Sequence, residues 1–388
     1  MLLRNGALRL LFLGQALYWS CSLIGITLTS LIGAQLAPLN SLATLPLALL
    51  VLGNLLAVQP LSLFMQRHGR RPGLMLGAAG GILGGLTCAL GVQLGSFWLL
   101  CLGALPIGAY QASAMYYRFA ALEAVGEAEK GRASAYVIGG GVLAALLAPS
   151  LALWARHALP TPFVGAYLAI AALATLGLLA MARLREGAAP RPPHGGLAAM
   201  RGLLGRPLVR AAMACTATGH GLMILIMNAT PLAMQFCGLS VESAASVIQW
   251  HILGMFLPAF VAGPLVDRLG SRRVALLGVA LLASSAAVAL GGLDHGHFLF
   301  SSLLLGMGWN LMLVAGTTLL GEGHGADERG QAQGLMEQGN SLMAALMSFS
   351  SGALITSLGW NAVNLLVWPL LALALALLWP ARRPLASA

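Results

Sequence analysis

Charge is scarce in this chain. Of 388 residues only 8% are Asp, Glu, Lys or Arg, and 11 are acidic, against 59% apolar residues and a mean hydropathy of +0.85. So few charges cannot cover a soluble surface of this size, which excludes a soluble enzyme or binding module and leaves an integral membrane protein. Cysteine is sparse as well. Cys21, Cys88, Cys101, Cys215 and Cys237 stand apart with no CxxC pair, mostly inside apolar runs, so no disulfide framework is expected. No nucleophile–base constellation, phosphate loop or catalytic metal motif is present, and enzyme chemistry is not expected. A secretory signal is not expected either: residues 1–8 carry only Arg4, and no small-residue cleavage site follows a short apolar stretch.

Apolar sequence, by contrast, is abundant. Runs of roughly 20 residues, the length a helix needs to cross the hydrocarbon core, recur about twelve times. They lie near 9–31, 42–65, 73–93, 97–119, 133–155, 162–183, 208–233, 242–266, 274–293, 297–319, 332–355 and 361–380. Arg and Lys collect on the cytoplasmic side of a membrane protein, so the basic residues set the expected orientation. Arg4, Arg9, Arg67, Arg70, Arg71, Lys130, Arg132, Arg183, Arg185, Arg191, Arg201, Arg206, Arg210, Arg268, Arg272, Arg273, Arg329, Arg382 and Arg383 fall at one end of alternating spans, and Arg156 at the other. Both termini are therefore expected in the cytoplasm. The formal charge of +10 then reflects topology and anionic headgroups, and nucleic acid is rejected as a partner.

The polar stretch from Arg185 to Pro207, with its run APRPPHGG, is the expected linker (185–207) between six-helix halves at 1–184 and 208–388. The halves repeat each other. SLFMQRHGRR, from Ser62 to Arg71, matches GPLVDRLGSRR, from Gly263 to Arg273, and EKGRASA at Glu129 to Ala135 matches ERGQAQG at Glu328 to Gly334. Parallel repeats of this kind point to a two-bundle transporter.

At these loops the sequence resembles the major facilitator superfamily across its whole length. The resemblance implies an all-α membrane protein of 12 transmembrane helices in two bundles around a central cavity. It also implies that Asp267 and Arg268, framed by Gly263, Gly270, Arg272 and Arg273, form an inter-bundle latch. The first-half copy keeps Arg67, Gly69, Arg70 and Arg71 but has Gln66 for the acid and Ser62 for the glycine, which leaves a charge-paired latch there in doubt.

Two residue pairs inside the apolar segments carry a more specific signal. Met223/Met227 in MILIM and His251/Met255 in HILGM stand at i,i+4 spacing, which a helix places on one face. Thioether and imidazole make a soft, neutral ligand set suited to Cu(I). Span seven runs outward and span eight inward, so Met223 and His251 lie near one level of the bilayer. His220 shares the stripe of Met223 and Met227 and is a further candidate ligand. Met343/Met347 in span eleven shows that such methionine pairs also arise by chance. The paired motifs resemble the CcoA-type copper importers, a major facilitator branch that also contains riboflavin carriers. The resemblance implies that Met223, Met227, His251 and Met255 bind copper. It implies a carrier in the bacterial inner membrane, monomeric and without a prosthetic group, that moves copper into the cytoplasm for haem–copper oxidase assembly. A periplasmic copper donor and a cytoplasmic copper chaperone would be its partners, beside membrane lipid.

Glu337, in MEQGN of span eleven, is the one good intramembrane carboxylate and a candidate for proton coupling. Met115, Cys21 and Tyr116 are guesses for completing a metal site in the first half. The competing substrate is riboflavin or another small organic solute, for which Tyr18, Trp19, Tyr110, Gln111, Trp309 and Asn310 would line a larger aromatic cavity.

Overall fold

A computed structural model of the chain describes residues 5–39, 42–185 and 197–379. These residues divide into two compact units, Met1–Ala124 with Gly140–Pro193 and Val125–Gly139 with His194–Ala388. Residues 125–139, expected with the first half, thus pack as part of the second unit. The middle of the expected linker, 186–196, lies outside the described residues, and Leu197–Gly205 within it is helical.

The first unit holds helices α1 (Gly6–Leu36), α2 (Leu45–His68), α3 (Arg70–Gln93), α4 (Phe97–Ala114), α5 (Tyr117–Glu123), α7 (Gly141–His157) and α8 (Val164–Ala182). The second holds α6 (Lys130–Ile138), α9 (Leu197–Gly205), α10 (Pro207–Phe236), α11 (Val241–Phe256), α12 (Ala259–Leu269) and α13 (Ser271–Gly291). It continues with α14 (His295–Glu322), α15 (Arg329–Ser357), α16 (Gly359–Leu365) and α17 (Val367–Leu378). All twelve expected spans are helical. Eleven helical stretches among the described residues are long and apolar enough to cross a membrane. The remaining span is α15, 29 residues long, whose opening RGQAQGLMEQGN is too polar for that class.

Several spans are interrupted at glycine or proline, the poorest helix formers. Gly139 and Gly140 part α6 from α7, and Pro258, without an N–H, parts α11 from α12. Pro369, in the first turn of α17, follows the break after α16.

The loop repeats prove structural. Gly69 (φ 96°, ψ 165°) and Gly270 (φ 86°, ψ 152°) join α2 to α3 and α12 to α13 through the same backbone conformation, one that only glycine adopts without strain. At the next position Arg70 pairs with Glu123 at the end of α5 (2.5 Å), and its counterpart Ser271 donates to Glu322 at the end of α14 (2.9 Å). A second tether also occurs twice. Asn5, the N-cap of α1, donates to the carbonyl of Ala124 at 3.0 Å. Arg206, the N-cap of α10, donates to the carbonyl of Gly323 at 3.2 Å and holds Glu328 through two bonds of 2.7 Å.

Candidate functional site

The HILGM segment of α11 is seated on α14. A Cβ at Gly306 would stand 2.6 Å from the carbonyl oxygen of His251 and 2.8 Å from the nitrogen of Met255, and one at Gly254 would stand 2.8 Å from the carbonyl of Leu303. The two glycines let the backbones close together, and polar groups on either side of Gly306 then fasten the segment. Nδ1 of His251 bonds the carbonyl of Ser302 at 2.8 Å, and Nδ2 of Asn310 donates to the carbonyl of Met255 at 2.6 Å. Ser302, Gly306 and Asn310 stand four residues apart, one stripe of α14. Ser302 and Gly306 escaped the sequence reading, because small residues in an apolar helix carry no signal until their packing is known.

These bonds settle ring chemistry. A carbonyl only accepts, so Nδ1 of His251 carries the proton and Nε2 keeps its lone pair. That Nε2 is buried without a hydrogen-bond partner, in a side chain only 1% exposed. A histidine that donates one ring N–H to a carbonyl and offers the other nitrogen is arranged as metal-binding histidines are. His220 has the opposite tautomer. The indole N–H of Trp309 donates to Nδ1 of His220 at 3.1 Å, so its proton sits on Nε2 and neither nitrogen offers a free lone pair. In this arrangement His220 would have to give up the Trp309 bond to offer Nδ1 to a metal. Met223 and Met255 are 4% and 5% exposed, and Met227 is half-buried. Met343 and Met347 pack against Gly221 of α10, so this second methionine pair is a neighbour of span seven.

Beyond α12 lies the charged loop. Gly131 of α6 and Gly263 of α12 face each other so closely that a Cβ on Gly263 would sit 2.7 Å from Cα of Arg132. That approach lets Asp267 reach the start of α6. Its carboxylate accepts from the backbone N–H of Gly131 (2.9 Å) and Arg132 (3.3 Å) and from Nε of Arg132 (2.7 Å). Asp267 therefore satisfies amides that a helix start leaves open and favours their positive end. Arg268 and Arg273 are exposed at this loop, and Arg272 bonds the carbonyl of Trp379 at 2.6 Å.

In the first unit the expected aromatic residues group together. Tyr18 meets Tyr110 edge-on at 5.5 Å and Trp19 at 5.4 Å, with Tyr18 and Tyr110 fully buried. Cys21 donates to the carbonyl of Ile170 and Tyr116 to that of Val58. Trp309, in the second unit, is crossed at 90° by Phe256, and Asn310 is fully buried beside Met255. Glu337 is buried on α15 and accepts from Asn340 at 3.4 Å, about 12 Å along the helix from its start. Arg118 went unread: it is 4% exposed on α5 with its guanidinium 4.8 Å from the ring of Phe119, a cation inside a span.

Residues 213–388 match the Major Facilitator Superfamily model. The chain is 38% identical over 370 residues to the riboflavin transporter RfnT of Brucella anthropi, covering 94% of this chain and 93% of that one. It is 29% identical to YdeG, an uncharacterised MFS-type transporter of Bacillus subtilis, over 88% and 84% of the two chains. Among solved structures it superposes on the E. coli fucose:proton symporter FucP with a TM-score of 0.78 at 14% identity, covering 98% and 100%. A bacterial homologue of the iron transporter ferroportin gives 0.75 at 16% identity, covering 97% and 100%.

Proposed function

The chain belongs to the major facilitator superfamily, a multi-pass membrane transporter and not an enzyme, and from that premise we propose that it carries riboflavin or a closely similar flat organic solute. Similarity to a riboflavin transporter along almost the whole of both chains carries this reading, because it takes in the helices that would hold a substrate as well as the loops. Each unit has its own buried aromatic residues with polar tips, Tyr18 and Tyr110 in the first and Trp309 in the second, a residue type that suits a planar heteroaromatic ring. Alternating access, the mode of two-bundle carriers in general, would move it across. The basic residues at one end of the spans support an inner-membrane carrier with both termini in the cytoplasm.

Copper import is the second reading, and one observation favours it: the buried, unpartnered Nε2 of His251, held ready by Ser302, on the helix that also bears Met255. With Met223 and Met227 of α10 it would give Cu(I) a neutral ligand set. Entry of one positive charge would gain about 2.3 kcal/mol per 100 mV of membrane potential. The relatives named above include no copper carrier, so this reading ranks below the first.

Uptake of labelled riboflavin and of radioactive copper under reducing conditions separates the two. Cells would express the wild type, Trp309→Ala, Met227→Ala or His251→Ala at equal membrane abundance, with the exposed Phe349→Ala as control. Riboflavin uptake above that of empty cells, lost in Trp309→Ala and kept in Met227→Ala, supports the first reading. Copper uptake lost in Met227→Ala and His251→Ala, with no riboflavin uptake in any strain, would replace it with the second.

A further inference from the structure

Asn228 of α10 donates from Nδ2 to Oγ of Ser348 on α15 at 3.1 Å, and both side chains are exposed. Neither stands at a helix end. The 30 residues of α10 make about 45 Å of helix, which exceeds a hydrocarbon core of about 30 Å by about 7 Å at each end. Asn228 lies eight residues before Phe236, about 12 Å from that end, and is therefore at core depth. Ser348 keeps the same level, because α15 runs alongside α10 in the same direction: Gly339 faces Met213, Gly221 faces Met343, and Asn228 meets Ser348. On α11 the residues Glu242, Ser246 and Gln249, at offsets of four and seven, form a polar stripe. Gln249 is exposed eight residues from Val241, the end that follows directly on the end of α10.

A carboxamide uncovered at that depth would find no partner in hydrocarbon, so this face meets water or a ligand. The bond to Ser348 uses one N–H of Asn228 and leaves its second N–H and its Oδ1; Ser348, the acceptor there, keeps its own O–H to donate. Pro231 adds a backbone group. Having no N–H, it leaves the carbonyl of Met227, next to Asn228, without its helical partner. A carboxamide that offers a donor and an acceptor together is the complement of a ring edge with C=O beside N–H, much as Asn and Gln pair with adenine. Asn228 and Ser348 are both neutral, which suits an uncharged edge. The flavin ring has such an edge, its imide, and the inference rests on the riboflavin reading at this point. We propose that Asn228 and Ser348 form a hydrogen-bonding subsite of the second unit for the imide edge of the substrate ring. Asn228 pairs with its C=O and N–H, and Ser348 orients the Asn228 carboxamide.

Uptake of labelled riboflavin provides the test, in competition with unlabelled riboflavin or with 3-methylriboflavin, whose imide N–H is blocked. Cells would express the wild type, Asn228→Ala or Ser348→Ala at equal membrane abundance. In the wild type the methylated flavin should compete roughly tenfold or more weakly than riboflavin. In Asn228→Ala the KM should rise about tenfold and the two competitors should agree within about twofold, with Ser348→Ala between the two proteins. A second measurement decides where Asn228→Ala fails to reach the membrane. Asn228→Cys, combined with Cys237→Ser to remove the exposed native thiol, should react with a charged, membrane-impermeant thiol reagent and be protected by riboflavin. Riboflavin uptake by a wild type that does not discriminate against the methylated flavin, or full discrimination kept in Asn228→Ala, would overturn the subsite and leave the riboflavin reading standing. An unreactive Asn228→Cys would put the pair against lipid or another protein and overturn it as well. Absence of riboflavin uptake by the wild type would remove the riboflavin reading itself, and this inference with it.

Discussion

The indole N–H of Trp309 points its proton at Nδ1 of His220, 3.1 Å away, and so decides which nitrogen of that ring is protonated. His251, one helix over, has its ring fixed in the other sense by the carbonyl of Ser302. Two histidines on neighbouring spans thus have different chemistry open to them. On the copper reading, replacing His251 by Ala should abolish copper retention by purified protein, where His220→Ala should leave it within about twofold. Equilibrium dialysis against Cu(I) with a competing chelator measures both. Equal losses would show that the Trp309 bond does not hold in solution.

Gly306 is the contact that holds HILGM to α14. Gly306→Ala would drive a methyl group into the carbonyl of His251, forcing the helices apart and breaking the Ser302 and Asn310 bonds together. A destabilisation of about 1–3 kcal/mol is expected from overpacking of this kind. Transport should fall further than that of Gly352→Ala, a glycine with open space around it. Thermal unfolding in detergent, paired with uptake, checks this.

Asp267 bonds both amides and a guanidinium at the start of α6. Asp267→Asn keeps an acceptor for Gly131 but loses the charge, whereas Asp267→Ala loses everything. Charge-assisted hydrogen bonds contribute about 1.5–3 kcal/mol, less here because Arg132 is well exposed. The expected order of stability and of uptake is wild type, then Asn, then Ala. Gly270→Ala in the same loop should cost a comparable 1–3 kcal/mol, roughly, through backbone strain alone.

Glu328 has a carboxyl held below the usual carboxylate range, mainly by its hydrogen bonds from Arg206 and further by the backbone N–H of Gly325. A depressed folded-state value means that its stabilisation is complete above the ordinary carboxylate range and is lost as pH falls through it. The unfolding midpoints of wild type and Glu328→Gln should therefore differ near neutral pH and converge on acidification. With both side chains partly exposed the neutral-pH gap should be small, under about 1 kcal/mol.

Much of the fold is legible in the sequence because a bilayer leaves few choices. Apolar length gives the spans, and the breaks at Gly139–Gly140 and Pro258 fall at a flexible glycine pair and at a proline without an N–H. The matched loops at Gly69 and Gly270, plain in the sequence as a repeat, share one backbone conformation. What stays hidden depends on packing. The preference of residues 125–139 for the second unit cannot be read from hydropathy. Nor can the α11–α14 seat, made by glycines indistinguishable in the sequence from those that merely fill space. Arg118 was lost inside the apolar string YYRF, where one cation barely lowers the window average. The methionine and histidine motifs are plain in the sequence, but the tautomers that separate His251 from His220 come only from their partners.

The doubled tether at the start of each half has a consequence of its own. One copy uses an amide on a carbonyl, Asn5 to Ala124; the other uses a guanidinium on a carbonyl and a carboxylate, Arg206 to Gly323 and Glu328. The same path of the chain is kept by a knot indifferent to acid and salt in one half, and by one that acid and salt both loosen in the other. The internal duplication has thus preserved where the chain is fastened while the fastening chemistry differs, and acid below the ordinary carboxylate range should loosen the Arg206 tether while leaving the Asn5 one intact.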